Sequence, residues 1–363
     1  MAPTDRDDPG APEGARRVSV VVVAGTHVRL ARLAHLLDQA GVEVLGVAKS
    51  PDEAEALVCA LRPDTVLLDL ALGVGGIDAV ERIMGRCATP IIVTGGAAES
   101  AATALAAGAV DVVTPGTEAL GPSAYAAALA RHLQVASRVR VITHPRARLR
   151  ERGLDGTVAV PPARDRGRRH TPVVVIGAST GGPPALAAVL GALPADLPAS
   201  VVVVQHMADG FVEGLASWLD GVVHLPVSVA LSGDRLRPGH VVLAPSDGNL
   251  VIEPTLRLRI EDPRPGQFHV PEIDGTFRSA AQSCGERAVG VLLTGMGRDG
   301  AEGMLALRNA GAFTIAQDEG TSVVWGMPAA AAALDAVSVE LALPQVAAGI
   351  VEAVSRILVP EAV

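Results

Sequence analysis

Residues 173–190 read VVVIGASTGGPPALAAVL, and this stretch decides the fold of the carboxy-terminal half. Its first four residues predict a buried strand, and the apolar residues after Pro183 predict a helix. Ser179 lies between them in a turn of small residues, where glycines allow tight backbone geometry and the helix start presents free amides. Such a turn favours either a nucleophilic serine with a stabilised oxyanion or a loop that holds a phosphate or dinucleotide. Because the spacing matches neither GxGxxG nor a GK[ST] ending, the turn alone leaves both interpretations open.

A second apolar strand is predicted at 201–204, VVVV, and it runs into Gln205, His206 and Met207. Ligands of parallel sheets lie beyond the carboxyl ends of the strands, so His206 is expected at the same edge as Ser179. A histidine in such a place is by itself more often structural or solvated than catalytic. The interpretation therefore depends on a third partner.

That partner is sought in VGVLLTGMGRDGAEGM, where a predicted strand at 289–293 leads to Asp299 and a helix at 301–310. An Asp at this strand end would orient the histidine and stabilise the imidazolium formed when serine loses its proton. Asp299 is equally suited to cap the following helix. Asp318, in TIAQDEG, also follows a strand and is a rival acid, and Asp247, in APSDGN, is a weaker one. The pattern alone leaves Asp299 and Asp318 open.

The amino-terminal half alternates five short apolar strands with five helical segments between residues 18 and 136. This alternation predicts a parallel sheet covered by helices on both faces. Polar or small residues stand at the strand ends: Asp69 after the third strand, Thr94 after the fourth, Ala24 with Gly25 after the first, and Thr114 with Pro115 after the fifth. The fold class is therefore α/β, with two domains that each contain a mainly parallel sheet flanked by helices.

The composition indicates a globular chain of two domains. Its 363 residues exceed one usual core, and 49% hydrophobic against 19% charged residues would be insoluble if left exposed. Aromatic residues at 2% and a net charge of -9 argue against nucleic acid as a partner. No apolar run reaches the roughly 18 residues that span a bilayer, so the chain is not expected to be embedded in a membrane. Cys59, Cys87 and Cys284, widely spaced without a CxxC, favour a reducing cytoplasm over a disulfide framework or a zinc site.

Four segments are predicted along the chain. Residues 1–17 form a disordered tail without the apolar centre of a signal peptide. Residues 18–137 form the first α/β domain and 172–358 the second. The linker at 138–171 is basic, with ten Arg against three acidic residues, a net +7. A solvated hinge is the favoured interpretation of the linker, and docking on an acidic partner is the alternative.

The motifs of the second domain occur together and in a known order. VVIGASTGGPPAL, VVVVQHM, LLTGMGRDGAEGM and IAQDEGTSVVWGMP resemble the catalytic domain of the chemotaxis protein-glutamate methylesterase family. The resemblance implies Ser179 as nucleophile, His206 as general base and Asp299 as orienting acid, with the Met296 amide in the oxyanion hole and Thr180 assisting. The segment FHVPEIDGTF is similar to a family region nearer to HRPSVD, so His269 is expected to border the substrate groove, outside the catalytic set.

The first domain resembles the receiver domain of bacterial response regulators, a flavodoxin-like fold that takes a phosphoryl group from a histidine kinase. Asp69 and Thr94 match that pattern. The acidic pair that holds magnesium in the family is Ala24-Gly25 here, and Pro115 stands where the family has a lysine. A solitary Asp69 without a nearby cation is a poor acceptor, because the developing negative charge would go unneutralised. We therefore favour a degenerate receiver in which Asp69 is a polar residue at a strand end, over one in which it is the phosphoacceptor.

The resemblance as a whole implies a cytoplasmic serine hydrolase that demethylates γ-glutamyl methyl esters, and deamidates glutamines, on chemoreceptor cytoplasmic helices. It implies no metal or organic cofactor, and a histidine kinase as a partner of the receiver. Two alternatives stay open: a methylesterase-like hydrolase of another pathway, and a non-catalytic signalling adaptor.

Overall fold

A computed structural model describes residues 17–113, 121–137, 171–207, 210–267 and 269–358. The predicted tail, apart from Arg17, and the predicted linker, apart from Thr171, lie outside these ranges, and so does Pro115.

The first half contains a parallel sheet of five strands in the order β2-β1-β3-β4-β5. The strands are β1 (Ser19–Val23), β2 (Glu43–Ala48), β3 (Thr65–Asp69), β4 (Ile91–Thr94) and β5 (Asp111–Val113). The helices are α1 (His27–Gln39), α2 (Pro51–Leu61), α3 (Val74–Arg86), α4 (Ala98–Ala107) and α5 (Pro122–Ala136). A short 3-10 turn, Leu70–Leu72, follows β3.

The start of α3 differs from the sequence-based expectation. We predicted the helix from residue 78, but it begins at Val74, and the additional first turn includes two glycines. Gly76 is buried against Leu68 and Leu70, so tertiary packing outweighs the low helix propensity of glycine.

The second half contains a parallel sheet of seven strands in the order β14-β13-β12-β6-β7-β9-β8. These strands are β6 (Val173–Ala178), β7 (Ser200–Gln205), β8 (Val227–Val229), β9 (Val241–Leu243), β12 (Ala288–Leu292), β13 (Phe313–Gln317) and β14 (Val339–Leu341). An antiparallel pair, β10 (Asn249–Ile252) with β11 (Leu258–Glu261), stands apart from this sheet. The helices are α6 (Gly182–Gly191), α7 (Val212–Asp220), α8 (Ile273–Cys284), α9 (Ala301–Asn309), α10 (Met327–Ala333) and α11 (Leu343–Leu358).

Both faces of the larger sheet are buried, which explains its uninterrupted valine runs. Val174 and Val201 belong to the core on one face, with α6, α7 and α11, whereas Val175 and Val202 belong to the core on the other, with α8, α9 and α10. Alternate residues of one strand therefore fill two separate layers. The predicted fold class is confirmed in both halves.

The two halves are in contact next to the carboxyl end of β7. Phe211, which is 7% exposed, belongs to the core cluster of the first half, and Met207 packs against the same cluster. Helix α4 packs on α7 at this junction. The segment that follows β7 is therefore shared between the two cores.

Two of the three cysteines are neighbours in the fold. The side chains of Cys59 in α2 and Cys87 after α3 are in contact, with their Cα atoms 5.4 Å apart. The two helices pack side by side, which brings together cysteines that are 28 residues apart in sequence. Cys284 is buried and unpaired.

In the part of the chain that the structure describes, no helix combines the length and the apolarity needed to cross a membrane.

Candidate active site

In the larger sheet, strands β7 to β9, which follow β6 in sequence, lie on one side of it, and β12 to β14 lie on the other. The strand order therefore reverses between β6 and β12, and the loops after both strands meet there. Such a switch point is where open α/β sheets bind ligands. Ser179 follows β6, and its amide donates to the Thr294 carbonyl after β12 at 3.0 Å. The Thr294 hydroxyl in turn donates to the Thr180 carbonyl at 3.0 Å. These two bonds fix the serine turn to the neighbouring loop.

The serine turn requires two of its glycines. Gly181 has a φ of +76°, and a Cβ there would lie 2.5 Å from Cβ of Val323. A Cβ on Gly182 would overlap the side-chain oxygen of Gln205. Helix α6 then begins at Gly182, one residue earlier than predicted.

His206 lies on the strand next to Ser179. The register pairs Ala178 with Gln205, and the His206 amide donates to the Ala178 carbonyl at 3.0 Å. The buried Gln205 side chain donates to the carbonyls of Ser179 (2.9 Å) and His206 (2.8 Å). One amide group therefore holds the backbone of both residues.

Asp299 contacts His206 directly. Its Oδ2 accepts a hydrogen bond from His206 Nε2 at 2.7 Å, and the two side chains are 8% and 10% exposed. Oδ2 also accepts from the Ile273 amide, while Oδ1 accepts from the amides of Asp274 and Gly300, all at 2.9 Å. Burial alone would raise the pKa of Asp299, but the bonds to His206 and to the amides outweigh it and lower the pKa.

The capping role considered for Asp299 takes a different form. Helix α9 has Gly300 as its N-cap and no side-chain capping bond. The carboxylate instead accepts from the first two amides of α8, at Ile273 and Asp274. The positive end of the α8 dipole therefore stabilises the Asp299 charge.

The rival acids lie elsewhere. Asp318 Oδ1 accepts from the amide and hydroxyl of Thr321, at 3.0 and 2.5 Å, and so closes a surface turn. Asp247 is exposed. Within the described residues, neither carboxylate bonds to His206. The ambiguity between Asp299 and Asp318 is resolved by geometry in favour of Asp299 as the partner of His206.

The remaining ring nitrogen of His206, Nδ1, is buried and has no hydrogen-bond partner among the described residues. The Ser179 hydroxyl makes no hydrogen bond to it there. Unliganded sites often show long or unformed contacts of this kind, which tighten when substrate binds. Since Nε2 faces the carboxylate, Nδ1 is the nitrogen left to exchange a proton, the reverse of the arrangement in common Ser-His-Asp triads.

The loop after β12 passes close to Ser179. A Cβ on Gly295 would lie 2.8 Å from Cβ of Ser179, so only glycine fits. The next residue, Met296, is half-buried, and its amide donates to no backbone carbonyl among the described residues. A free amide beside a serine is suited to receive an oxyanion.

Beside Asp299 lies an open cavity of about 540 Å³, lined in part by Arg264, Gln267, His269, Glu272 and Arg298. His269 therefore borders a cavity beside Asp299, and its place at a substrate groove stays a prediction. Its ring stacks on His206, with the ring centres 4.5 Å apart.

The first half has its own polar cluster, at the end of β3. Asp69 is 1% exposed, and its Oδ2 accepts from Arg29 Nε at 2.7 Å. The expectation of a solitary Asp69 without a nearby cation is therefore wrong. Arg29 lies one turn into α1 and reaches back to the strand end, which strand-end patterns do not reveal. The neighbouring Thr94 hydroxyl shares a 2.7 Å hydrogen bond with the hydroxyl of Tyr125.

Comparison with known proteins finds a matching family for each half of the chain. The family model described as CheB methylesterase matches residues 174–350, and that of the response regulator receiver domain matches residues 20–116. A protein-glutamate methylesterase/protein-glutamine glutaminase 2 of Anaeromyxobacter dehalogenans is 43% identical over 328 residues, which cover 89% of this chain and 93% of that protein. The chain belongs to the CheB methylesterase family.

A protein of the same name from Burkholderia lata is 42% identical over 323 residues, covering 86% of this chain and 91% of the relative. A CheB methylesterase catalytic domain of Thermotoga maritima, known from a crystal structure, is 34% identical and covers 50% of this chain and 98% of that chain, with a TM-score of 0.49. Family membership confirms the resemblance drawn from the sequence motifs of both halves.

Sequence reasoning missed several residues that build this CheB-type site. Gln205, Thr294 and Gln317 are buried polar residues at strand ends, and Gln317 accepts from the Thr294 amide at 2.8 Å. Their signal was available, because a polar residue that ends a fully apolar strand must find a buried partner. The amides of α8 that hold Asp299 had no such signal.

The lowered pKa of Asp299 predicts an acid-dependent stability difference between the wild type and Asp299→Asn. A carboxyl whose folded-state pKa lies below its unfolded-state pKa of about 3.9 stabilises the folded state, and the effect is complete at pH values above about 3.9. The contribution disappears as the pH falls through the folded-state pKa. In urea unfolding, the stability advantage of the wild type should be largest near neutral pH and shrink below about pH 4.

Asp274→Asn is the matched contrast. The main influence on Asp274 is burial, which raises its pKa, although the hydrogen bond from the Gly303 amide opposes the shift. A raised pKa destabilises the charged form, so the wild type should gain stability relative to Asp274→Asn as the pH falls through that pKa. If the stability advantage of the wild type over both variants changed in the same direction with pH, the opposite pKa shifts of Asp299 and Asp274 would be contradicted.

Proposed function

We propose that this chain hydrolyses γ-glutamyl methyl esters on the cytoplasmic helices of chemoreceptors, and deamidates glutamines there, with Ser179, His206 and Asp299 as the catalytic set. The observation that carries the proposal is the 2.7 Å bond between His206 and a buried, amide-held Asp299, on the strand next to Ser179. The names of its relatives, protein-glutamate methylesterase/protein-glutamine glutaminase, support the substrate class.

In the first step, Ser179 Oγ attacks the ester carbonyl carbon and its proton passes to Nδ1 of His206. Asp299 stabilises the imidazolium through Nε2. The amide of Met296 donates to the tetrahedral oxyanion, and Thr180 assists at the start of α6. The C–O bond to the methoxy group then breaks, and His206 returns the proton to methanol.

In the second step, water attacks the acyl-enzyme and gives its proton to His206. The Ser179 oxygen leaves with that proton, which frees a glutamate side chain. With a glutamine substrate the same steps release ammonia. The chain's own residues supply every proton transfer in this scheme.

The domain limits belong to the same proposal: a receiver-like domain at 18–137, a linker at 138–171 and a catalytic domain at 172–358. Both family matches fall inside the proposed domains. A histidine kinase is the proposed partner of the receiver, and the cytoplasm the proposed location.

The receiver is proposed to act without phosphorylation. Arg29 already neutralises the buried Asp69 carboxylate. Ala24 and Gly25 offer no carboxylate to a magnesium ion that would have to balance a phosphoryl group. The ion pair with Arg29 occupies Oδ2 of Asp69, an oxygen that would attack a phosphodonor.

Methanol release from methylated receptor membranes tests the nucleophile. Ser179→Ala should lower the rate by at least about 10³-fold, because no other group in the scheme attacks the ester. The control is Ser355→Ala, an exposed serine on α11, which should keep the wild-type rate. Absence of release by the wild type would favour the adaptor, or a hydrolase with another substrate.

Asp299→Asn and Asp318→Asn form a matched pair for the orienting acid. An amide at 299 cannot stabilise the His206 imidazolium, so kcat should fall by about 10²- to 10⁴-fold. Asp318→Asn should stay within about threefold of the wild type, because among the described residues the Asp318 carboxylate bonds only to Thr321, which is outside the catalytic set. Steady-state methanol release measures both. A larger loss in Asp318→Asn would refute the assignment.

Intact-mass analysis after incubation with magnesium and acetyl phosphate tests the receiver. The wild type should show no adduct, since Asp69 is held by Arg29 and the acidic pair is missing. Asp69→Asn provides the background mass. An adduct in the wild type that is lost in Asp69→Asn would show that the receiver is phosphorylated.

A further inference from the structure

The imidazole of His269 lies flat on the imidazole of His206. The ring centres are 4.5 Å apart and the planes differ by 3°. One edge of His269 faces solvent in the cavity beside Asp299, and one face covers the ring of the proposed general base. His269 comes from the segment between β11 and α8, which contributes no residue to the proposed catalytic set.

This segment is anchored to the antiparallel pair. The side-chain amides of Asn249 and Gln267 exchange two hydrogen bonds, of 3.0 and 2.8 Å. Gln267 also donates to the His269 carbonyl at 2.5 Å, and Asn249 accepts from the Glu272 amide at 2.9 Å. Asn249 is 7% exposed, so the anchor is built into the core of the domain.

The same anchor connects His269 to Asp299. Glu272 is the N-cap residue of α8, and the next two amides of that helix bind the Asp299 carboxylate. The base is thus held on two sides, by Asp299 at Nε2 and by a stacked ring on its face. An imidazole that is free to rotate about its side-chain bonds would lose entropy on reaching this geometry, whereas a held ring has lost it beforehand.

We infer that His269 is a positioning residue for the esterase reaction, which acts as a neutral ring stacked on His206 and keeps Nδ1 free to exchange a proton with the substrate site. The inference rests on the proposed function.

The charge on His269 matters because His206 becomes an imidazolium during the reaction. A neutral ring can cover that cation, whereas a second cation at 4.5 Å would repel it. Among the described residues, the ionisable groups around His269 are His206, Asp299, Glu272, Asp274, Glu302, Arg264 and Arg298. Partial burial, followed by repulsion from His206, lowers the pKa of His269, although Asp299 and Glu272 oppose the shift. His269 is therefore neutral at pH 7.

The test is the pH dependence of kcat for methanol release between about pH 4.5 and 8.5, in the full-length chain. In the wild type both imidazoles must be neutral before the reaction, so the acid limb should approach a slope of two in log kcat against pH. His269→Phe keeps a flat ring that cannot be protonated. Its acid limb should have a slope of one, and its kcat at pH 7.5 should stay within about threefold of the wild type.

His269→Ala removes the ring. Its kcat should fall by about tenfold with KM little changed, because the base is no longer held while substrate contacts persist. His224→Phe, at an exposed histidine of the same domain, is the control and should reproduce the wild-type profile. A slope of two in His269→Phe, or a wild-type kcat in His269→Ala, would overturn the inference.

A titration of the imidazole resonances by NMR separates this inference from the proposed function, because it needs no substrate. In His206→Phe, His269 should titrate at higher pH than in the wild type, because the repulsion from His206 that helps to lower the pKa of His269 has been removed. An unchanged His269 titration would refute the coupling of the two rings even if the chain hydrolyses esters. A shifted titration without methanol release would refute the proposed substrate and retain the coupling of the two rings.

Discussion

The carboxylate of Asp299 is a negative charge in a nearly dry site, and four donors share it. Three are backbone amides, two of them at the start of α8, and the fourth is His206. A charge so buried is tolerated only when its oxygens are fully occupied. The position of α8, the loop after β12 and the rotamer of His206 therefore depend on one another, and Ser179 is fixed to the same loop through Thr294.

The first half contains a second buried carboxylate with a different partner. Asp69 is neutralised by a guanidinium, that of Arg29, and its other oxygen accepts from the Ala71 amide at 3.0 Å. The guanidinium stays protonated at all physiological pH values, so the partner of Asp69 is a permanent cation. The partner of Asp299 is an imidazole, a group that can take up and release a proton. The same residue type at the same kind of strand end therefore faces a permanent cation in one domain and an ionisable ring in the other.

Strand-end reasoning predicted much of the site from the sequence. Ser179, His206 and Asp299 each follow a strand, and parallel strands bring their carboxyl ends to one edge. What escaped prediction depends on contacts between distant segments. The amides of Ile273 and Asp274 reach Asp299 only because α8 packs on α9. Arg29 reaches Asp69 from α1, a helix that packs on β1, the strand next to β3. Contacts between side chains of distant elements leave no periodic pattern in the sequence. The spacing of apolar residues therefore cannot predict them.

The junction after β7 has a consequence for any exchange of the first half. Phe211 fills a place in the core of the first domain, and Met207 packs on that core one residue after His206. A first domain with a different surface at this junction would leave Phe211 without its pocket. The segment after β7 therefore belongs to the second half by sequence and to the first half by packing, so replacing the first half alone would expose an apolar side chain.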